Sequence, residues 1–456
     1  FDSSVRALSA VLFMVGYGLI TIPSVLYAGS IAVLQLFDVP GSLGLSYAQS
    51  LVVTIVGIGA IGAVYAVFGG LRAVAVSDTL NGIGLLIVGL AVPILGLVAL
   101  GDGSFGAGLH TIANTETQKL NAIGGPTDPT PFATLFTGMV FANLFYWCTN
   151  QYVIQRTLAA RSLAEGQKGV LLSGFFKVLV PTLMMIPGVV AYHLYGPELQ
   201  SIDLAYPQLV RDVLPVYATG FFLAVLLGAV LSSFNSLINS ASTLFCFDVY
   251  QPLVGRAVSD TEMVRVAKRV GLVMTGFSLL VAPLLQFAAE GLWQVIRVFT
   301  GFYNIPMIAI VITGLFTRKV PALAAKVVIV FHIVAYGTFQ FALKDLLPVH
   351  FLHLYAILFV LEVAMMLAIG VWHPRKEETA IRQTAEVDLT PWAYAPPCAV
   401  TLLSCVVALY VVFSPVGLVG DGSNLFAPVL LGLLALNVLF WFGWHRRLTA
   451  GLGAHA

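Results

Sequence analysis

Charge is what this chain has least of. Asp, Glu, Lys and Arg make up 9% of its 456 residues, against roughly 25% in a typical soluble domain. Hydrophobic residues reach 59% and the mean hydropathy is +0.95, so the chain reads as an all-α polytopic membrane protein. Cysteine is scarce too. Cys148, Cys246, Cys398 and Cys405 sit in or against apolar segments, without metal-ligand spacing or extracellular disulfide partners. His350 and His353 read as interfacial residues in preference to a metal pair. The chain lacks a phosphate-binding loop, a Ser/His/Asp arrangement and any nucleophile–base pair recurring within a helical turn, so it does not read as an enzyme. Its net charge of +1 is spread through short loops, with no basic patch for nucleic acid. No organic cofactor is expected.

Long apolar runs are what it has. Twelve segments can cross a hydrocarbon core of about 30 Å. They are approximately 8–37, 49–68, 74–100, 132–155, 170–195, 213–250, 270–287, 292–316, 322–343, 351–372, 398–419 and 425–444. Several exceed the length needed, which predicts tilt, kinks or interfacial extensions. With Phe1 in the cytosol, Arg6, Arg156, Arg161, Lys168, Arg256, Lys376, Arg382 and most other cations fall on inner loops and helix ends. Lys119, Arg211 and Lys344 fall outside. The positive-inside rule therefore predicts a multi-pass protein of the cell (plasma or inner) membrane with both termini of this chain cytosolic. The outer stretch 101–131, rich in Gly, Thr and Pro, reads as a small lid.

One span departs from uniform apolarity. Between 213 and 250 the run Leu231-Ser-Ser-Phe-Asn-Ser-Leu-Ile-Asn-Ser-Ala-Ser-Thr-Leu244 follows a long apolar stretch. At about 100° per residue, Ser232, Ser236, Asn239 and Thr243 share a face, with Ser233 and Ser240 beside them. Uncharged oxygens of this kind suit a small hard cation such as sodium. Close helix packing by small polar residues is the bland alternative. A second face carries Asn143, Tyr146, Trp147 and Asn150 at i, i+3, i+4, i+7. Amides beside aromatic rings suit a sugar-like solute, the ring stacking on C–H groups while the amide bonds hydroxyls. An interfacial aromatic belt would look similar.

Four ionisable residues lie inside membrane segments, where they are costly and tend to be functional. Asp78 reads as a gate partner or cation ligand, or as a helix-end carboxylate. Lys177, mid-segment ahead of Pro181 and Pro187, suits a polar cavity better than a buried ion pair. Arg297 precedes Thr300-Gly-Phe-Tyr-Asn-Ile-Pro306, where Gly and Pro predict a broken helix. Glu362 reads as a structural partner or subunit contact.

Three stretches then carry a resemblance. They are Asn143-Leu-Phe-Tyr-Trp-Cys-Thr-Asn-Gln-Tyr-Val-Ile-Gln-Arg-Thr-Leu-Ala-Ala-Arg-Ser162, Ala164-Glu-Gly-Gln-Lys-Gly169 and Asn239-Ser-Ala-Ser-Thr-Leu-Phe245. Together they resemble the sodium:solute symporter family, in its sodium/sugar cotransporter branch, from Phe1 to about Phe316 and more weakly beyond. Gly124-Gly-Pro-Thr-Asp-Pro129 and Phe145-Tyr-Trp-Cys-Thr-Asn150 look closer still to the bacterial YidK-type subgroup, whose solute is poorly defined.

That resemblance implies a LeuT-like fold of two inverted five-helix repeats and alternating access around a midplane site. Residues 1–100 would be three helices of the first repeat, 132–316 the second repeat and 322–456 four peripheral helices. It also implies a sodium site on the Ala229 carbonyl and the Ser232 and Ser233 hydroxyls. Solute contacts would fall on Asn143, Tyr146 and Lys177, with Tyr146 the stacking ring of an inner gate and Trp147 beside it. A second sodium site, built in some relatives on Asp78 and two serines, is half matched, because Asn235 and Ser236 stand at those positions. Arg297 replaces the Gln usual in sugar carriers, which invites a sugar acid or another anionic sugar. Phe1 is not an initiator Met, and the resemblance implies about three further helices ahead of it. One of these, the broken first core helix, would carry sodium ligands. The chain is thus expected to be N-terminally incomplete. The expected activity is sodium-coupled import of a small polar solute, a sugar or sugar acid. A symporter for a carboxylate or vitamin, a channel, and a non-transporting sensor module are the rival readings.

Overall fold

The computed structural model describes residues 1–68, 70–199, 201–288, 291–375, 387–420 and 424–453. Lys376 and Arg382, two of the cations assigned above to the inner side, lie outside the described residues. In chain order the helices are α1 (Ser3–Phe37), α2 (Tyr47–Phe68), α3 (Gly70–Leu100), α4 (Phe105–Asn114), α5 (Gly138–Cys148) and α6 (Gln151–Leu158). They continue with α7 (Leu163–Tyr195), α8 (Ala205–Val213), α9 (Val216–Val254), α10 (Asp260–Phe287) and α11 (Leu292–Phe316). The last four are α12 (Ala322–Leu343), α13 (Phe351–Trp372), α14 (Ala395–Val412) and α15 (Phe426–Gly453). Short π-helical turns interrupt α1 at Tyr17–Thr21, α7 at Pro181–Met185 and α9 at Phe245–Tyr250.

Helix starts follow ordinary capping chemistry. Asp2 accepts the Val5 amide at 2.8 Å to open α1. Ser259 caps α10, with Asp260 and Glu262 in the first turn, where the helix dipole favours negative charge. The main core gathers around α1, α9 and α11, where Tyr17, Ile22, Leu26, Phe234, Leu237 and Ile305 are fully enclosed. Two peripheral helices stand apart: α14 packs on α7, and α15 packs on α14.

Two expectations need correction. Among the described residues, eleven helices, not twelve, are long and apolar enough to cross a membrane. The fourth expected segment, 132–155, is discontinuous: a 3-10 turn at Phe132–Phe136, then α5, then a break at Thr149–Asn150, then α6. The amides of Thr149 and Asn150 both turn back to the Phe145 carbonyl, which also accepts the Thr149 hydroxyl at 2.9 Å. The Thr149 amide still makes the regular helical bond, whereas the Asn150 amide skips its helical acceptor for Phe145, and the ladder ends there. Asn150 therefore leaves the face it shares on paper with Asn143. It is buried, and accepts the Tyr17 hydroxyl at 2.7 Å.

The second correction concerns α11, which runs unbroken through Gly301 and Pro306. Donors from neighbouring helices support its carbonyls in the weak stretch. Tyr355 bonds the Arg297 carbonyl at 2.5 Å, Tyr336 the Val298 carbonyl at 2.9 Å and His332 Nε2 the Gly301 carbonyl at 3.0 Å. With neighbours supplying those bonds, proline and glycine can sit within a membrane helix. Gly301 has its own reason to be glycine: a Cβ there would fall 2.5 Å from the Tyr355 hydroxyl.

Candidate functional site

The site begins with how α3 packs on α9. The two run antiparallel, with Gly84 against Val225 and Asn81 against Gly228. A Cβ at Gly228 would lie 2.4 Å from Asn81 Oδ1, so glycine is what permits this approach. One turn further along both helices, Asp78 accepts a hydrogen bond from the Ser232 hydroxyl. The polar run of α9 thus meets the carboxylate of α3 where the backbones are already close.

The break in the fourth segment supplies the third wall. Helix α6 packs on α9, and Arg156, in its last turn, forms an ion pair with Asp78. The same guanidinium nitrogen donates to Ser236 Oγ at 2.7 Å. Ser236 in turn donates to the Ser232 carbonyl at 2.9 Å. Around these groups lies a cavity of about 220 Å³ lined by Tyr146, Tyr152, Val153, Arg156, Ser232, Ser233 and Ser236. Serine hydroxyls on one wall, with the Asp78 carboxylate bonded to Ser232, are oxygens that can hold a hard monovalent cation.

Two expected sets of residues therefore converge. Ser232 and Ser233 line the cavity, Ser232 buried and Ser233 exposed. Ala229 lies about one turn before them in the continuous helix α9. Asp78 and Ser236, expected as a separate cation set, are tied to Ser232 and to each other through Arg156. Asn235 is buried, and among the described residues neither atom of its amide has a hydrogen-bond partner.

The expected solute residues form a second group on α5. Tyr146 accepts the Tyr152 hydroxyl at 2.9 Å and meets Trp147 edge-on at 4.9 Å between centroids. Lys177 places its ammonium 5.0 Å from the centre of the Trp147 ring, within cation–π range. It sits in the last turn before the π-helical turn of α7 and is exposed. Asn143 is exposed and donates to the Met139 carbonyl at 2.9 Å. Of this group, Tyr146 alone also lines the cavity.

Arg297 stands apart from both groups. It is buried, and its guanidinium bonds Thr130 Oγ1 at 2.7 Å, Gln294 Oε1 at 3.1 Å and the Pro129 carbonyl at 3.3 Å. It reaches α5 only at the Met139 sulfur, 3.8 Å away, one turn from Asn143. Arg297 thus pins the loop 124–131 to α11. Glu362 pairs with His332 Nδ1 at 2.5 Å, both side chains wholly buried, so its role in the fold is a structural contact. His350 caps α13 through the Leu352 amide, while His353 faces Thr137 Oγ1 at 2.9 Å.

Sequence reasoning missed Arg156 and Tyr152 as members of the site. Read as one span ending near Gln155, the fourth segment sends Arg156 to an inner loop. The Thr149-Asn150 pair was the available signal, because both side chains readily terminate helices.

The defining sequence pattern of the sodium:solute symporter family matches residues 3–328. This chain belongs to that family. Its relatives are transporters, not enzymes. The uncharacterized symporter YidK of Escherichia coli (strain K12) is 40% identical over 449 residues, covering 98% of this chain and 78% of that protein. The sodium/glucose cotransporter of Vibrio parahaemolyticus is 30% identical over 353 residues, 72% of this chain and 63% of its own length. The human sodium/myo-inositol cotransporter 2 is 32% identical over 341 residues, 68% of this chain and 49% of its own. The chain thus spans between half and four fifths of the length of these relatives. Among solved structures, one described as the substrate-bound outward-open state of a Na+-coupled sialic acid symporter matches with a TM-score of 0.68. The match covers 83% of this chain and 76% of that one, at 22% identity. The fold is accordingly the LeuT-like one, as the motifs of a family member imply.

Proposed function

We propose that this chain forms the core of a sodium-coupled symporter that imports a small polar solute, a sugar or sugar acid, by alternating access. One observation carries the reading: Tyr146, of the aromatic solute face, and Ser232, Ser233 and Ser236, of the hydroxyl stripe, line a single cavity. Ion and solute would then bind side by side, which gives each a direct way to change the other's affinity. In this reading Ala229, Ser232 and Ser233 hold a coupling sodium, and Asp78 with Ser236 offers a second position. Asn143, Tyr146, Trp147 and Lys177 receive the solute. Arg297 bears on it as a fixed positive charge behind α5, through Met139, and favours an acidic sugar. Residues 1–100 and 132–316 would be the parts of the two repeats and 322–456 the periphery, with both ends of this chain cytosolic.

Thermal unfolding of the purified protein in sodium or potassium buffer, against a panel of sugars and sugar acids, tests this. Sodium should raise the melting temperature, and a matching solute should raise it further only in sodium. Ser233→Ala should weaken the sodium response. Equal behaviour in sodium and potassium would sink the reading.

A further inference from the structure

Arg156 is a cation placed on oxygens that a sodium ion would otherwise use. Its guanidinium pairs with Asp78 and donates to Ser236 Oγ, while the second Asp78 oxygen accepts from Ser232. Ser232, Ser236 and Arg156 line the cavity, and Asp78 is joined to it by its bonds to Ser232 and Arg156. The pair is not sealed in the core: the Arg156 side chain is 37% exposed and that of Asp78 24%. Arg156 therefore has somewhere to go. It is carried on α6, only eight residues long, joined to α5 through the non-helical Thr149–Asn150 link.

We infer that Arg156 is the resident counter-cation of the Asp78–Ser236 position, excluding sodium from it whenever α6 packs against α9. A single carboxylate cannot neutralise both a guanidinium and a metal cation on the same oxygens, and two like charges within a few ångströms oppose each other. Ion entry on the α3 side thus requires α6 to withdraw about the Thr149–Asn150 link. The Ser232–Ser233 side keeps its own hydroxyl, that of Ser233, whichever way α6 lies. This rests on the reading of the cavity as an ion site.

The test is a sodium titration of thermal stability on the purified full chain, comparing the parent with Arg156→Gln and Arg156→Ala. Removing the guanidinium leaves an uncompensated carboxylate, so the sodium midpoint should fall on the order of tenfold. In Arg156→Ala, added guanidinium ion should compete and raise the midpoint again. The double variant Arg156→Gln/Asp78→Asn should lose the gain. A folded Arg156→Gln or Arg156→Ala whose sodium midpoint equals or exceeds that of the parent overturns the inference, and so does a lack of competition by guanidinium. A parent and variants all indifferent to sodium would instead overturn the ion reading itself.

Discussion

Residues 132–158 and 292–316 mislead in opposite directions. The first reads as one apolar span and is broken at Thr149–Asn150; the second carries Gly301 and Pro306 and is continuous. In each case the outcome follows from where the backbone hydrogen bonds go. At the break the Asn150 amide reaches past its helical acceptor to the Phe145 carbonyl, and the side chain of Asn150 is occupied by Tyr17. In α11 the carbonyls of Arg297, Val298 and Gly301 take further hydrogen bonds from Tyr355, Tyr336 and His332. A broken membrane helix needs partners for its loose ends, and a weak continuous one needs partners for its loose middle. The broken segment is also the one that carries Tyr146, Tyr152 and Arg156 into the cavity, whereas the braced one carries Arg297 toward a loop.

The largest effect should come from removing the brace. His332→Ala deletes the donor to Gly301 and leaves Glu362 buried without its partner. Breaking a buried pair in this way costs about 3–5 kcal/mol. The counterpart change at the break, Tyr17→Phe, removes one hydrogen bond to Asn150 and should cost about 1 kcal/mol. Unfolding of both variants in detergent measures the contrast. Equal losses would mean that α11 is not held by its neighbours in the way the hydrogen bonds indicate.

An intermediate effect belongs to the solute face. Tyr146→Ala removes a ring packed on Trp147 and the acceptor of the Tyr152 hydroxyl. Aromatic contacts of this kind contribute about 0.5–1.5 kcal/mol, so solute affinity should fall on the order of three- to tenfold. The sodium midpoint should move little. Solute binding that is indifferent to Tyr146 would detach the broken segment from recognition.

Much of this architecture is legible in the residues alone, because membrane spans are written locally. A stretch such as 74–100 must be helical in lipid whatever surrounds it, since no other arrangement satisfies its backbone. The hydroxyl stripe of α9 is equally local, and its neighbour Tyr146 came with a long motif. What could not be read depends on contacts far apart in the chain. Asn150 breaks its helix in concert with Tyr17, more than a hundred residues earlier. Arg156 joins Asp78 and Ser236 only once that break has redirected α6. Arg297 is held by the loop 124–131 because Pro129 and Thr130 fold back on α11, which no periodicity announces. Pairing of this kind is set by tertiary packing, and the glycine contacts at Gly84 and Gly228 that fix the α3–α9 register are visible only afterward.

The smallest effect sharpens the comparison most. Proline within a free helix interior costs about 3 kcal/mol relative to alanine, so Pro306→Ala would stabilise an unbraced helix markedly. In α11 the chain already runs straight through, and Pro306 is buried against its neighbours. Alanine would restore one backbone donor and at the same time lose ring atoms from a packed site. Those terms oppose each other, and the net change should stay within about 1 kcal/mol, with sodium and solute responses retained. The check is the melting temperature of Pro306→Ala with and without sodium. A variant that keeps its stability but loses the sodium-dependent solute response would make Pro306 a working hinge. The two segments would then differ in when they bend, and no longer in whether they do.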